Sequence, residues 1–350
     1  MTTMMTGCGG SLYERKNASL TAENGNALQH QNNDIAYEMA ADYSADEDNG
    51  EDNGLEWENS EEYTSVPEND FVLSAENPLS TFSADVDTAS YSNVRRMIQS
   101  GLEVAPEAVR IEEMINYFSY DYPEPTDGAP LSVTTEMYDC PWNTDNQLFL
   151  IGMQAEKIDL EGRPPMNLTF LIDVSGSMYA ADKLPLVQKA VAMLAEELNE
   201  NDRVSIVTYA GEESVVLEGA SGSDYALITD AIYSLSAGGA TAGERGILKA
   251  YEIAQQYYIE GGNNRVLLAT DGDLNVGLSS AEELTALVEE KRESGVSLSV
   301  LGFGTGNLKD DRLEALADNG NGNYAYIDSE LEARKVLVQE MGGTLYTVAK

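Results

Sequence analysis

Three residues at alternate positions carry the most evident chemistry of this chain: Asp173, Ser175 and Ser177. They follow the apolar run 170–172, which is typical of a buried strand in a parallel sheet. Ligand sites of open α/β sheets lie just beyond the carboxyl ends of strands, so these oxygens stand where such a fold binds ligands. One carboxylate with two neutral hydroxyls suits a small, hard cation such as Mg²⁺, which prefers oxygen and keeps part of its water shell.

Two later segments carry further oxygen ligands. A Gly-rich loop, 236–243, contains Thr241, and a second apolar strand, 266–269, is followed by Thr270 and Asp271. Together these segments resemble the metal-ion-dependent adhesion site (MIDAS) of von Willebrand factor type A domains, over about residues 166–347. The resemblance implies that Mg²⁺ or Mn²⁺ binds at five residues: Asp173, Ser175, Ser177, Thr241 and Asp271.

The same residues have two alternative interpretations. Asp173, Ser175 and Ser177 could cap the helix that follows, since Asp and Ser side chains satisfy free N–H groups there. Capping does not explain why Thr241 and Asp271 occupy two other matching positions, so we favour the metal site. Catalysis is the other alternative. The sole histidine, His30, lies in the polar N-terminal stretch, and no base stands beside the serines, so we expect that the protein is not an enzyme.

The remaining pattern predicts the fold. Strands alternating with helices of about 10 to 15 residues indicate a doubly wound, mostly parallel sheet with helices on both faces. This is the α/β class of von Willebrand factor A and Rossmann-like folds. Further strands are predicted at 203–210, 214–220, 296–304 and 323–328. Helices are predicted at about 183–200, 224–235, 244–259, 281–294, 308–318 and 331–342.

A second ordered region is predicted at about 71–160. Its segment 80–91 indicates a strand and turn leading into a helix, and 111–118 has an amphipathic helical pattern. Residues 131–138 and 147–154 indicate two strands, either a hairpin or an extension of the main sheet. These segments resemble the N-terminal extension of a bacterial group of von Willebrand factor A lipoproteins. The resemblance implies a small α+β extension.

Charge and composition define the N-terminal part. Sixty-one acidic against 20 basic residues give a net charge of −41, which is unfavourable for binding nucleic acid. Residues 17–94 contain no Lys or Arg, and residues 34–70 within them are rich in acids, Asn and Gly, so we predict that this acidic segment is a solvated, disordered tether. The expected organisation is a signal remnant at 1–10, a tether at 11–70, the extension at 71–160 and the von Willebrand factor A domain at 161–350.

The segment from Met4 to Ser11 resembles the end of a bacterial lipoprotein signal, with Cys8 as the lipidated residue. Only seven residues precede Cys8, so the basic part and most of the apolar part of a full signal are missing; the alternative is that Cys8 is incidental. We expect an extracytoplasmic, membrane-anchored bacterial lipoprotein whose only membrane contact is the anchor at Cys8. In the related lipoproteins a further domain usually follows, so a chain ending at Lys350 is expected to be a fragment.

The expected mechanism follows from charge. If Asp173 and Asp271 both bound the cation directly, they would neutralise it. If one of them acts through water while the hydroxyls coordinate, the ion keeps a net positive charge and an open position. We therefore expect metal-dependent protein binding at the cell surface, in adhesion or assembly, with a partner that presents Asp or Glu. The alternative function is a subunit of a metal-chelatase or ATPase complex.

Overall fold

The structure, a computed structural model, describes residues 61–64, 71–81, 86–156, 162–239, 243–272 and 281–340. The acidic segment before residue 61, Cys8 and Thr241 therefore lie outside the described residues. The strands are β1 Leu131–Asp139, β2 Gln147–Ala155, β3 Met166–Asp173, β4 Arg203–Tyr209, β5 Glu213–Ser221, β6 Asn263–Thr270, β7 Ser297–Phe303 and β8 Tyr324–Ile327. The helices are α1 Ala89–Gln99, α2 Ile111–Asn116, α3 Leu184–Ala195, α4 Tyr225–Tyr233, α5 Gly243–Gln256, α6 Ala281–Arg292, α7 Asp310–Asn319 and α8 Glu330–Arg334.

Six strands form the main sheet in the order β5-β4-β3-β6-β7-β8. All neighbouring pairs are parallel except β4 and β5, which are antiparallel. The central strand β3 is buried along its whole length because β4 and β6 flank it and helices cover both of its faces. The predicted doubly wound, mostly parallel α/β fold is confirmed.

Alternating side chains of β3 build two separate cores. Phe170 and Ile172 belong to a cluster with residues of α3, α4 and α8, on one face of the sheet. Leu171 points to the other face and joins residues of α5, α6 and α7. Phe170 is 1 % exposed, so its truncation to Ala would cost about 3 to 5 kcal/mol of folding free energy. These two cores fix the strand ends that carry the site.

Helix α1 docks on the edge strand β8. The Arg95 guanidinium lies 2.6 Å from Asp328 and 2.8 Å from Glu332, and the Tyr324 N–H donates to the Asp87 carboxylate at 3.0 Å. The helix confirms the second half of the prediction for 80–91, whereas the described residues before it, 79–81 and 86–88, form no strand. The extension therefore contacts the main sheet through partly buried ion pairs and a backbone hydrogen bond.

Helix α2 buries its polar side. The predicted helix is confirmed over Ile111–Asn116, but its apolar residues Ile111 and Ile115 are exposed. The buried residue is Glu113, because its carboxylate accepts a hydrogen bond from the Ser90 N–H at 2.8 Å and pairs with Arg110. Here the polar contacts, and not the apolar pattern, decide which side of the helix faces the protein.

Strands β1 and β2 form an antiparallel two-stranded sheet, separate from the main sheet, so the hairpin interpretation is the correct one. The Tyr122 ring packs on one face so closely that a Cβ at Gly152 would lie 2.5 Å from it. The opposite face is apolar and open: Val133 is 62 % exposed, Met137 60 % and Phe149 59 %. Among the helices of the described residues, none is both long and apolar enough to cross a membrane.

Residues 61–64 lie within the predicted tether, yet they contact the folded domain. Glu62 donates its N–H to the Leu308 carbonyl at 3.0 Å and forms an isolated parallel bridge with Lys309. The Glu61 carboxylate accepts the Gly306 N–H at 2.9 Å and pairs with Arg96 at 3.0 Å. Buried and backbone-directed hydrogen bonds thus hold this acidic segment against the loop after β7.

Candidate metal centre

Two buried carboxylates meet at the carboxyl edge of the main sheet. Asp173 is the last residue of β3, and Asp271 follows β6 directly. Ile172 pairs with Ala269 across these strands, so the next residues, Asp173 and Thr270, are neighbours. The Thr270 hydroxyl donates to Asp173 Oδ2 at 3.3 Å. Both carboxylates are 0 % exposed, which makes their electrostatic surroundings decisive.

The two serines lie between these carboxylates. The Ser175 N–H donates to Asp173 Oδ1 at 2.8 Å, which turns the chain back over the strand end. Ser175 Oγ and Ser177 Oγ are 3.0 Å apart, and the Ser177 hydroxyl helps to lower the pKa of Asp271. Ser175 precedes a 3₁₀ turn, Gly176–Tyr179, but its side chain makes no capping hydrogen bond. The capping interpretation therefore does not account for the Ser175 hydroxyl.

The Gly-rich loop lies against the serine loop. The Gly238 N–H donates to the Val174 carbonyl at 2.7 Å, and the Gly176 N–H donates to the Gly239 carbonyl at 3.1 Å. Gly239 has a φ of +89°, a left-handed conformation that favours glycine. The structure thus brings together Asp173, Ser175, Ser177 and Asp271 and fixes the loop that leads to Thr241, whose own position is outside the described residues.

Burial raises the pKa of Asp173 to about 6. Hydrogen bonds from Ser175 oppose this shift, whereas the negative charge of Asp271 adds to it. Tyr209, at the end of β4, donates its hydroxyl to Asp173 Oδ2 at 3.2 Å. Burial, and then the Asp173 charge, raise the Tyr209 pKa well above its usual range, so this tyrosine stays a donor. Without a cation, the Asp173 carboxylate is poorly stabilised.

Asp271 has the opposite pKa shift. Burial alone would raise its pKa, but the hydrogen bond and the charge of Lys183 leave the pKa below its usual range. Lys183 Nζ lies 2.9 Å from Asp271 Oδ2 and 3.1 Å from Asn307 Oδ1, and Lys183 is only 7 % exposed. Asp271 is therefore an ionised carboxylate with a cation of the protein beside it.

Sequence reasoning gave no role to four contributing residues: Tyr209, Thr270, Lys183 and Asn307. Strand register could have found the first two, because Tyr209 and Thr270 end the strands that flank β3. Lys183 gave no signal, since a lysine at the start of a helix is most often a solvated residue. Asn307 is brought to the site by the loop after β7, which has no regular pattern.

The donor set fits Mg²⁺ or Mn²⁺. Adjacent ligands of an octahedral ion with bonds of about 2.1 Å lie about 3 Å apart, which the two serine hydroxyls match at 3.0 Å. Among the described residues, no group of three or more His, Cys, Asp or Glu side chains is arranged to hold a metal. A cation at this edge would bind through hydroxyl and carboxylate oxygens together, the hard donors that Mg²⁺ and Mn²⁺ accept.

Comparison with known families agrees with this geometry. Residues 167–340 match the family model of the von Willebrand factor type A domain, and residues 57–150 match a model described as von Willebrand factor. The first match spans β3 to α8, the whole main sheet with its two cores. This chain is therefore a von Willebrand factor type A domain-containing protein.

Its relatives include bacterial proteins. The chain is 44 % identical over 295 residues to the uncharacterized protein YfbK of Escherichia coli (strain K12), which covers 82 % of this chain and 51 % of YfbK. It is 30 % identical over 193 residues to the uncharacterized protein sll0103 of Synechocystis sp., covering 54 % and 44 % of the two chains. The chain spans about half the length of these curated relatives.

One similar solved structure is proximal thread matrix protein 1 of the mussel byssus, with a zinc-occupied MIDAS motif. The similarity covers 51 % of this chain and 45 % of the mussel protein, at 23 % identity and a TM-score of 0.41.

Proposed function

We propose that this protein is a metal-ion-dependent protein-binding module. In this proposal, Mg²⁺ or Mn²⁺ binds at Asp173, Ser175, Ser177, Thr241 and Asp271, and the partner presents an Asp or Glu. The observation that carries the proposal is the pair of serine hydroxyls, 3.0 Å apart, set between two buried carboxylates at a strand edge. Von Willebrand factor A domains commonly bind a divalent metal at such a site.

The bound cation would supply a positive charge with an open coordination position for the partner's carboxylate. The chain's own residues prepare that position. Tyr209, Thr270 and the Ser175 N–H orient the Asp173 carboxylate, and the strand ends hold it without exposure to solvent. Ser175 and Ser177 contribute neutral oxygens, so they hold a cation without reducing its charge. This division of ligands favours capture of an anionic group.

The biological setting belongs to the same proposal. A lipid anchor at Cys8 would tether the protein outside the bacterial cytoplasm, where the domain would serve adhesion or the assembly of a surface complex. Nucleic acid is not a partner in this scheme, because a net charge of −41 repels phosphates. No catalytic step is required of the site.

Cation binding tests the proposal directly. We would titrate Mn²⁺ into the full chain and follow the loss of the free-ion electron paramagnetic resonance signal. The variant Ser175→Ala/Ser177→Ala should lose the site. A matched control is Ser221→Ala/Ser223→Ala, because these hydroxyls are also 3.0 Å apart but lie on the surface. Equal Mn²⁺ binding by both double variants would overturn the proposal.

The partner is tested separately. Immobilised full chain would be exposed to bacterial membrane extract with Mg²⁺ or with EDTA. We expect a protein that is retained only with Mg²⁺, by the wild type and by Ser221→Ala/Ser223→Ala, and not by Ser175→Ala/Ser177→Ala. Retention that is insensitive to both EDTA and the serine substitutions would contradict a metal bridge.

A further inference from the structure

We propose that Lys183 is a specificity-determining residue of the metal centre: a fixed internal cation that offsets the charge of Asp271, so that the bound metal ion keeps positive charge for an acidic ligand. This inference rests on the proposed function above. It concerns a residue outside the five metal ligands, one that pairs with the ligand Asp271.

The position of Lys183 is built by the fold. Its side chain starts at the residue before α3 and passes over Gly304, whose φ is +76°. A Cβ at Gly304 would collide with the Lys183 side chain, so only glycine leaves a path for it. The side chain ends with Nζ 2.9 Å from Asp271 Oδ2 and 3.1 Å from Asn307 Oδ1. The Lys183 ammonium is therefore a buried charge that two hydrogen bonds and the passage over Gly304 hold in one place.

The loop after β7 holds the far side of this arrangement. A Cβ at Gly272, directly after Asp271, would lie 2.7 Å from the Lys309 backbone nitrogen, so the loop is packed against the strand end. The Glu61 and Glu62 contacts with Gly306 and Leu308 pin the same loop from outside. Asn307 is thereby held beside Lys183, and the ammonium cannot move away from Asp271 without disturbing several packed segments.

Charge then determines what this lysine does. Two ionised carboxylates alone would give the centre a charge of −2 and would neutralise a divalent cation completely. With Lys183 paired to Asp271 the protein groups sum to −1, and the bound ion keeps about one positive charge. The cost is weaker metal binding, because two cations then share one cluster. With a protein dielectric of about 20, Coulomb's law predicts that a unit positive charge within about 8 Å of the metal ion lowers metal affinity at least about tenfold.

A purely structural lysine would behave differently. It would stabilise the loop, and its removal would loosen the site and weaken metal binding. The proposal predicts two opposite changes: without the lysine charge, the affinity for the metal rises, while the affinity of the metal-loaded site for an anion falls. This pair of opposite changes is the readout that a structural role does not produce.

The experiment uses the full chain and two probes, Mn²⁺ and acetate. Mn²⁺ affinity is measured by calorimetry, and acetate binding to the Mn²⁺-loaded protein is measured by water proton relaxation. Lys183→Met should bind Mn²⁺ about tenfold or more tightly and acetate several-fold more weakly than wild type. Lys183→Arg keeps the charge and should resemble wild type. Lys189→Met is the matched control, because Lys189 lies in α3 but is exposed and pairs with exposed Glu330.

The outcomes separate the two proposals. If wild type binds no Mn²⁺, or binds it independently of Ser175 and Ser177, the proposed function fails and this inference fails with it. If wild type binds through the serines but folded Lys183→Met shows unchanged or weaker Mn²⁺ affinity, only the role of Lys183 is overturned. If circular dichroism shows that Lys183→Met is unfolded, Lys183→Gln is judged by the same two measurements.

Discussion

Asp173→Asn should stabilise the metal-free protein at neutral and alkaline pH. Burial raises the Asp173 pKa from the 3.8 of an unfolded chain to about 6, so the folded state holds this proton more tightly than the unfolded state does. The contribution of the Asp173 carboxyl to the stability of the wild type is then fully present below pH 3.8 and is lost as pH rises through about 6. This difference in pKa between the folded and unfolded states corresponds to about 3 kcal/mol at pH 8. That value is the largest gain in the free energy of unfolding that Asp173→Asn can give.

The assay is urea unfolding in EDTA at pH 8 and at pH 3.5 for wild type and Asp173→Asn. Asparagine keeps the shape and accepts the Ser175 N–H, while Tyr209 and Thr270 offer hydroxyls that can accept as well as donate. We expect the variant to exceed wild type by about 1 to 3 kcal/mol at pH 8 and to show no such gain at pH 3.5. Asp145→Asn, in the exposed hairpin loop, is the control.

Two results would refute this reasoning. A variant less stable than wild type at pH 8 in EDTA would mean that the ionised carboxylate contributes net stability to the fold. A gain of equal size at both pH values would mean that charge is not its cause. Saturating Mg²⁺ adds a further check, since it should stabilise wild type by about 2.7 kcal/mol at a hundredfold excess over Kd and leave Asp173→Asn almost unchanged.

Three further predictions concern the scaffold. Arg95→Ala should lower the free energy of unfolding by about 3 kcal/mol, because it leaves the 2 % exposed Glu332 side chain without its cation. Urea unfolding at pH 7 measures this loss, and a loss below about 0.5 kcal/mol would contradict the prediction. Gly304→Ala should lower the free energy of unfolding by about 1 kcal/mol or more and speed amide exchange in 304–309, because Gly304 has a φ of +76°. Unchanged exchange would argue against the path of Lys183 over this residue. Met137→Thr/Phe149→Thr should change the free energy of unfolding by less than about 1 kcal/mol, since these side chains are 60 % and 59 % exposed. The double variant should also bind less of an apolar dye. A large loss of stability would show that the open face of the β1–β2 sheet is covered.

The fold was predictable because its strands are short apolar runs bounded by turn residues. The strand predicted at 203–210 is Arg203–Tyr209, and the one at 296–304 is Ser297–Phe303. The helix predicted at 183–200 ends earlier, at Ala195. The reason is a polar turn, in which the Asp202 carboxylate accepts N–H groups from Asn199 at 2.8 Å and from Met166 at 2.9 Å. Hydrogen bonds that a side chain accepts from a distant part of the sequence cannot be recognised from helical periodicity.

The two carboxylates of the candidate site could be located from the sequence because they lie at strand ends. Asp173 and Asp271 follow apolar strands, and parallel strand order brings them together. Lys183 reaches Asp271 across 88 residues of sequence, through a path that depends on the backbone of Gly304. Helix α2 shows the same limit, since the pairing of Glu113 with Arg110 and Ser90 outweighs an apolar pattern. Side-chain partnerships of this kind depend on tertiary geometry.

A Mn²⁺-soaked crystal of the full chain, measured for anomalous scattering, tests the central claim most directly. We predict one strong anomalous peak within bonding distance of Ser175 Oγ and Ser177 Oγ, with the Thr241 hydroxyl as a third ligand and Lys183 still paired to Asp271. A peak located only at surface carboxylates, or no peak at this strand edge at saturating Mn²⁺, would contradict the metal-dependent function.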